Sequence, residues 1–278
     1  MASDLDIKAE LILVYYTFKF QIITNWKKFF AFALISVAIF FLLGPFQYEL
    51  FRDYQLPENI LAFYRDGINF VSLIILFATC FFFGGIICVE YDKETGFIVF
   101  PKINRFKLIS GKYLAYLTLI FGVVAIYYGM LMLFGYYYYR GPVAPQIFLS
   151  FGFALMYALA LSGFVTLFSS FMKSVNFTIV ATILIFLIGF QISEQIVVLF
   201  NPEIEPLFSL NYMSNLISST LQQDFPDTRA ERYTEFNFEN FSFRNWNTPS
   251  MEAGLIIMSV YTILQIIAAA LIFNRRQL

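Results

Sequence analysis

Long apolar segments separated by short polar segments dominate the sequence. Six stretches are free of charged residues over about twenty positions or more, which is the length that an α-helix needs to cross a hydrocarbon core roughly 30 Å thick. Each stretch is expected to be helical, because lipid offers no hydrogen-bond partner to unpaired backbone groups. The predicted spans are at about 29–48, 68–89, 113–139, 147–172, 174–200 and 253–273.

The composition supports this pattern. Of the 278 residues, 59% are hydrophobic and 13% are charged, whereas soluble domains carry roughly 25% charged residues. The mean hydropathy is +0.70. We therefore predict an all-α membrane protein with six transmembrane helices. The net charge of −1 gives no reason to expect nucleic acid as a partner.

The distribution of charge predicts the orientation. If the N-terminus, the segment 90–112, the connection at Lys173 and the C-terminus lie on one side, that side holds 12 Lys and Arg residues and the other side holds 6. Acidic residues divide in the opposite sense, 6 against 12, with Glu194 inside a span. By the positive-inside rule, both termini are expected to be cytoplasmic in a multi-pass plasma-membrane protein.

Two regions outside the spans have helical patterns of their own. Residues 1–28 are predicted to form an amphipathic N-terminal helix, either lying on the anionic inner leaflet or packed on the other helices. Residues 29–278 then form the six-span domain. Its outer segment 201–252 is predicted to be a lid, with a short helix at 207–221 and a strand from Phe236 to Phe243.

The segment 90–112 joins the second and third spans on the predicted inner side. Its charges exclude it from lipid, yet its many Phe, Ile, Val and Leu side chains are too apolar for a solvated loop. Such a composition is typical of a short amphipathic helix that docks into a groove on a partner. Pro101 interrupts the apolar run and sets the turn that follows.

The ordered residues of this segment resemble those of ABC-2 type permease subunits of ABC exporters. That family carries Glu, then Gly-Thr, an apolar run, Pro, Arg and a later Gly-Lys. Here the order of Gly and Thr is inverted and the spacing from Gly to Pro is shorter, which is similar to an archaeal subgroup with a TG-x-x-x-FP core. The matching residues are Glu90, Thr95, Gly96, the apolar run that ends at Phe100, Pro101, Arg105, Gly111 and Lys112. By this resemblance, the residues expected to couple to an ATPase are Glu90, Glu94, Thr95, Gly96, Phe97, Phe100, Pro101, Arg105, Phe106, Gly111 and Lys112.

The resemblance implies an architecture and a partner. The segment 90–112 would be a coupling helix seated on a separate cytosolic ABC ATPase subunit. Two six-span copies, or one copy and a paralogue, would line the pathway within membrane lipid. The chain would be a non-catalytic subunit that binds no cofactor, with ATP and Mg²⁺ on the partner.

The residues themselves agree with a non-enzymatic subunit. Gly111-Lys112 is not a P-loop, because Phe106 stands where its first glycine is needed and Tyr113 where Ser or Thr is needed. The chain has no His, and its two Cys lie in one apolar run, so no metal site is predicted.

Glu194 is the ionisable residue within the predicted spans, and such residues are functional candidates because their burial is costly. We place it at the outer mouth of the pathway, with a proton relay as the alternative. The alternatives to export are a secondary transporter, for which paired intramembrane charges are expected, and an ABC-2-like complex that does assembly work without transport.

Overall fold

The computed structural model describes residues 2–43, 56–92, 105–238 and 241–275. Its elements alternate long helices with short connections, and one hairpin follows the fifth span. The elements are α1 (Ala2–Leu43), α2 (Ile60–Gly67), α3 (Val71–Phe83), α4 (Val89–Asp92), α5 (Arg105–Tyr139), α6 (Gln146–Phe171), α7 (Val175–Leu184), a π-helix (Ile185–Phe190), α8 (Gln191–Phe200), α9 (Leu210–Ser219), β1 (Tyr233–Phe238), β2 (Phe241–Trp246) and α10 (Met251–Arg275).

The described residues contain six helical stretches that are long and apolar enough to cross a membrane, which confirms the predicted class of all-α membrane protein. These stretches are Leu11–Leu42, Ile60–Phe83, Phe106–Tyr139, Gln146–Phe171, Val175–Phe200 and Met251–Arg275.

Two boundaries differ from the sequence-based expectation. The second span begins at Ile60, where the side chain of Asn59 accepts a hydrogen bond from the backbone N–H of Ala62 at 2.8 Å, and its helix ends at Phe83 rather than near residue 89. The third span begins well before residue 113. Its helix includes Lys112, because that charge is neutralised within the bundle, as described below.

The first span is continuous with the predicted interfacial helix. α1 runs over 42 residues without a break at residue 28, and it packs along α5. A helix of this length extends about 63 Å, roughly twice the thickness of the hydrocarbon core. The division of α1 into an interfacial part and a spanning part therefore stays a prediction.

The core of the bundle lies around α3 and α6. α6 packs against α10, α3, α9, α5 and α7, and Tyr157 and Leu161 on it are fully buried. The hydroxyl of Ser150 on α6 donates to the carbonyl of Ile217 at 2.6 Å and contacts the Tyr128 hydroxyl at 2.8 Å. One helix thus joins the spans to the segment predicted as the lid.

The segment 201–252 contains the predicted short helix as α9 and a hairpin where one strand was predicted. β1 and β2 pair antiparallel, with Tyr233 opposite Trp246 and Glu235 opposite Arg244. The second strand supplies the backbone partners that a lone strand would lack.

Packing defines two ends of the bundle. At the terminal end, Tyr91 contacts Phe273 near the end of α10. At the lid end, the Tyr261 hydroxyl of α10 donates to the carbonyl of Phe208 at 2.5 Å.

A substitution at Gly163 tests how closely α6 packs on α10. A Cβ atom added there would lie 3.0 Å from the side-chain oxygen of Gln265 and 3.4 Å from the Cα of Thr262. Gly163→Leu should force the two helices apart and lower stability by about 1–3 kcal/mol. Gly152→Leu on the same helix is the control, because no atom lies within 4 Å of a Cβ added there. Thermal unfolding in detergent measures both; equal melting temperatures would contradict this packing.

Candidate functional site

The site at the terminal end begins where the helix of the second span stops. After Phe83 the chain continues through turns at residues 84–88, which are mostly buried inside the bundle. The hydroxyl oxygen of Ser169 on α6 accepts hydrogen bonds from the backbone N–H groups of Ile87 and Cys88, both at 3.1 Å. Irregular backbone inside a membrane protein requires such internal partners, and Ser169 supplies them for the turns that lead to α4.

An ion pair closes the base of the segment 90–112. The ammonium of Lys112 donates to Oε1 of Glu90 at 2.5 Å, and both residues are buried, at 4% and 9% exposure. Glu90 is therefore not the solvated helix end that its position beside a polar segment first indicates. Removing one partner of a buried pair leaves an uncompensated charge, which typically costs 3–5 kcal/mol. The pair holds α4 against α5, 22 residues apart along the chain.

The structure also places the other described residues of the family pattern. A Cβ atom added at Gly111 would lie 2.7 Å from Cβ of Thr17 and 2.9 Å from the carbonyl oxygen of Val14, so glycine permits the close approach of α1 and α5. The Phe106 side chain is 46% exposed. Arg105 begins α5. The remaining residues of the pattern lie outside the described residues; they are Glu94, Thr95, Gly96, Phe97, Phe100 and Pro101.

Phe106 lines an apolar cavity of about 300 Å³ beside the ion pair. The cavity lies between the start of α5 and the end of α10. Its wall includes Ile87, Ile109, Tyr113, Ala269 and Phe273. The terminal end therefore combines a buried ion pair, Glu90–Lys112, with an apolar cavity.

A second site lies at the lid end, where the fifth span changes its helical form. The π-helix Ile185–Phe190 contains Gly189 and is followed directly by α8, so the fifth span remains helical through Gly189. π-helical turns occur frequently at functional sites. The polar residues Gln191, Glu194 and Gln195 follow on the first turns of α8.

Glu194 is bound to the segment that leads into α9. Its Oε1 accepts hydrogen bonds from the hydroxyl of Ser209 and, at 3.4 Å, from the side-chain amide of Asn211. The same carboxylate lines a polar cavity of about 260 Å³. We refer to this as the polar cavity; its lining includes Gln191, Glu194, Gln195, Asn211, Asn245 and Trp246.

A buried charged network attaches the hairpin to α9. Arg232 donates to Oε1 of Glu205 at 3.1 Å, and both side chains are about nine-tenths buried. The Tyr212 hydroxyl donates to the same oxygen at 3.1 Å. Burial, together with the Glu205 carboxylate, raises the pKa of Tyr212, so its phenol remains a hydrogen-bond donor at neutral pH. The network makes the lid a fixed structural unit of the lid end.

The sequence analysis selected Glu90, Lys112 and Glu194 one by one, but it did not predict that Glu90 and Lys112 pair, or that Ser209 and Asn211 bind Glu194. The Glu205–Arg232 pair was also missed, although two opposite charges flanking a helix with an apolar face are a usable signal. Ser169 carried no signal, because serine is common at the contacts between membrane helices.

Comparison of the sequence with protein-family models and with curated proteins finds no match. Within the described part of the chain, no group of three or more Cys, Asp or Glu side chains is arranged to hold a metal ion.

The Glu90–Lys112 pair gives a prediction. Lys112→Met should destabilise the protein by about 3–5 kcal/mol, because the buried carboxylate of Glu90 loses the ammonium group with which it forms an ion pair. Adding Glu90→Gln should recover much of that loss, because the double variant has no buried charge at this place. Thermal unfolding of the wild type, both single variants and the double variant gives the coupling energy. Additive effects would show that the pair is not coupled.

Proposed function

We propose that the chain is the transmembrane permease subunit of an ATP-driven exporter of the ABC-2 type, which forms the pathway and couples to a separate ATPase through residues 90–112. The observation that carries this proposal is the buried ion pair between Glu90 and Lys112. It brings Glu90 and Lys112, the residues at the two ends of the segment 90–112, into direct contact, so both ends of the segment are held at one point on the bundle.

This base is suited to transmitting force. Glu90 follows the turns held by Ser169 of α6, and Lys112 lies on α5, which packs against α1. A displacement of the segment would therefore move the two helices that flank it together with the core helix α6. Rigid-body movement of packed helices is a common form of switching, and closure of two ATPase subunits would supply the displacement.

The charge distribution supports the orientation in this proposal. The terminal end would face the cytoplasm, as the excess of Lys and Arg there requires. The membrane would be the plasma membrane, with ATP and Mg²⁺ bound by the partner and none by this chain. Lys112 would position the segment and would not contact the ATPase, because its side chain is buried. Phe106 is exposed and is therefore better placed to contact the ATPase.

The surface of the bundle supports a second permease copy or paralogue in surrounding lipid. The first, fifth and sixth spans are the least buried of the six within the chain. On the fifth span, exposed apolar residues follow one helical face, and they include Phe177, Val180, Leu184, Ile188 and Ile192. Lipid and a second copy are both apolar enough to cover this face.

Secondary transport is the second candidate, favoured by Glu194. A carboxylate within a span and beside a π-helix is a feature of ion-coupled transporters. Its contacts with Ser209 and Asn211 place it at the lid end, away from the terminal end.

The orientation can be tested by labelling. In a background of Cys80→Ala and Cys88→Ala, a cysteine introduced at Thr228 in the lid should react in intact cells with a membrane-impermeant maleimide. A cysteine at Lys173 should react only after the cells are opened; both residues are exposed in the structure. The reverse pattern would invert the orientation and remove the coupling segment from the cytoplasm.

The partner can be tested by purification. The wild-type chain, extracted from its own membrane in mild detergent, should co-elute with an ATP-binding protein. Phe97→Ala, Phe100→Ala and Phe106→Ala together should abolish co-elution without changing the melting temperature.

The matched control removes three aromatic rings at the lid end, with Tyr136→Ala, Tyr137→Ala and Phe148→Ala, all of them exposed residues. This variant should keep the ATP-binding protein. The proposal would be contradicted if wild-type preparations that remain folded contain no such protein. Secondary transport would then be the favoured function.

A further inference from the structure

The polar cavity at the lid end adjoins an apolar groove on the same helix. The groove has a volume of about 570 Å³, and its apolar wall consists of Ile192, Ile196 and Leu199 of α8 with Phe236 of β1. Gln195 and Asn245 line both the polar cavity and the groove. The two spaces therefore form one site with a polar half and an apolar half.

The spacing of residues on α8 produces this division. Gln191, Glu194, Gln195 and Val198 recur at intervals of three and four, so they share one helical face. The groove residues Ile192, Gln195, Ile196 and Leu199 repeat the same intervals one position later, which places them on the adjacent face. Gln195 lies at the boundary.

The amides of the polar cavity are available to a ligand. In the described part of the chain, no side-chain hydrogen bond engages the carboxamides of Gln191, Gln195 or Asn245. Glu194, by contrast, is held by Ser209 and Asn211, so its carboxylate has a fixed position. Carboxamides offer donors and acceptors together, and the carboxylate adds acceptors. This mixture matches a group rich in hydroxyls.

The charge of the lining disfavours an anionic headgroup. Glu194 is the charged side chain among the described lining residues of the polar cavity, and none of those residues is basic. A phosphate in the polar cavity would face this carboxylate with no basic residue in the lining to compensate it, which is unfavourable in a partly desolvated site. The groove has exposed apolar side chains, with Leu199 at 60% and Phe236 at 47% exposure, as an acyl chain requires.

We infer that this site binds an amphipathic lipid whose headgroup is uncharged and rich in hydroxyls, such as a glycosylated diacylglycerol, with the headgroup in the polar cavity and an acyl chain in the groove. The site lies in the second half of the fifth candidate span, Val175–Phe200, within about four turns of its lid end. The inference concerns binding by this chain alone and is independent of the ATPase partner.

Native mass spectrometry of the full chain tests the inference. The protein is purified in a polyoxyethylene ether detergent, because a maltoside would compete for the site. Galactosyl diacylglycerol is then compared with diacylglycerol, phosphatidylglycerol and phosphatidylethanolamine of the same acyl composition. The galactolipid should bind at least about tenfold more tightly than the other three, the effect of one or two hydrogen bonds.

Variants assign the binding to this site. Gln195→Leu with Asn245→Leu should lower galactolipid binding at least about tenfold, as expected for lost hydrogen bonds, and Gln223→Leu, an exposed glutamine outside the site, should leave it unchanged. Competition on the wild-type chain requires no substitution: octyl glucoside should displace the galactolipid at concentrations where an octyl polyoxyethylene ether does not.

Three results would overturn the inference. They are equal binding of all four lipids, preference for a phospholipid, and binding that the double variant leaves unchanged while its melting temperature equals that of the wild type. Loss of the ATP-binding partner in the purification above would leave these results unaffected, so the two proposals fail separately.

Discussion

Two charges buried against each other, Glu90 and Lys112, determine how the terminal end of this protein is built. Each would be unstable alone in an apolar bundle, and together they allow α5 to begin inside the polar segment. The helix of the second span stops at Phe83, seven residues before Glu90, and the hydroxyl of Ser169 accepts hydrogen bonds from two backbone N–H groups in the turns that follow. These contacts hold the base of the segment.

The same helix, α6, connects this end to the other. Ser169 near its end binds the turns before Glu90, and Ser150 near its start binds the carbonyl of Ile217 below the lid. Both contacts are buried, and the helix between them packs against most of the other spans. α6 is therefore the helix that contacts both ends of the bundle through buried hydrogen bonds.

The sequence predicts the six spans well because the bilayer imposes a length and a composition on each of them. It does not predict partners that are far apart in the chain: Glu90 with Lys112, or Glu194 with Ser209, depend on helix packing that no local pattern records. No sequence signal predicts the π-helix either, since a glycine such as Gly189 is compatible with a bend, a helix end or a continuous helix. The family resemblance lies largely in residues 93–104, which are outside the described part of the chain.

The central claim is that the segment closed by Glu90 and Lys112 contacts an ATPase, and photo-crosslinking in cells tests it most directly. A benzophenone amino acid would replace Phe97 in one strain and Thr228 in the lid in another. The account predicts that Phe97 yields a covalent adduct with an ATP-binding protein, that Lys112→Met weakens this adduct, and that Thr228 yields none. An adduct formed from the lid position, or none from Phe97 in a folded and correctly inserted chain, would contradict the claim.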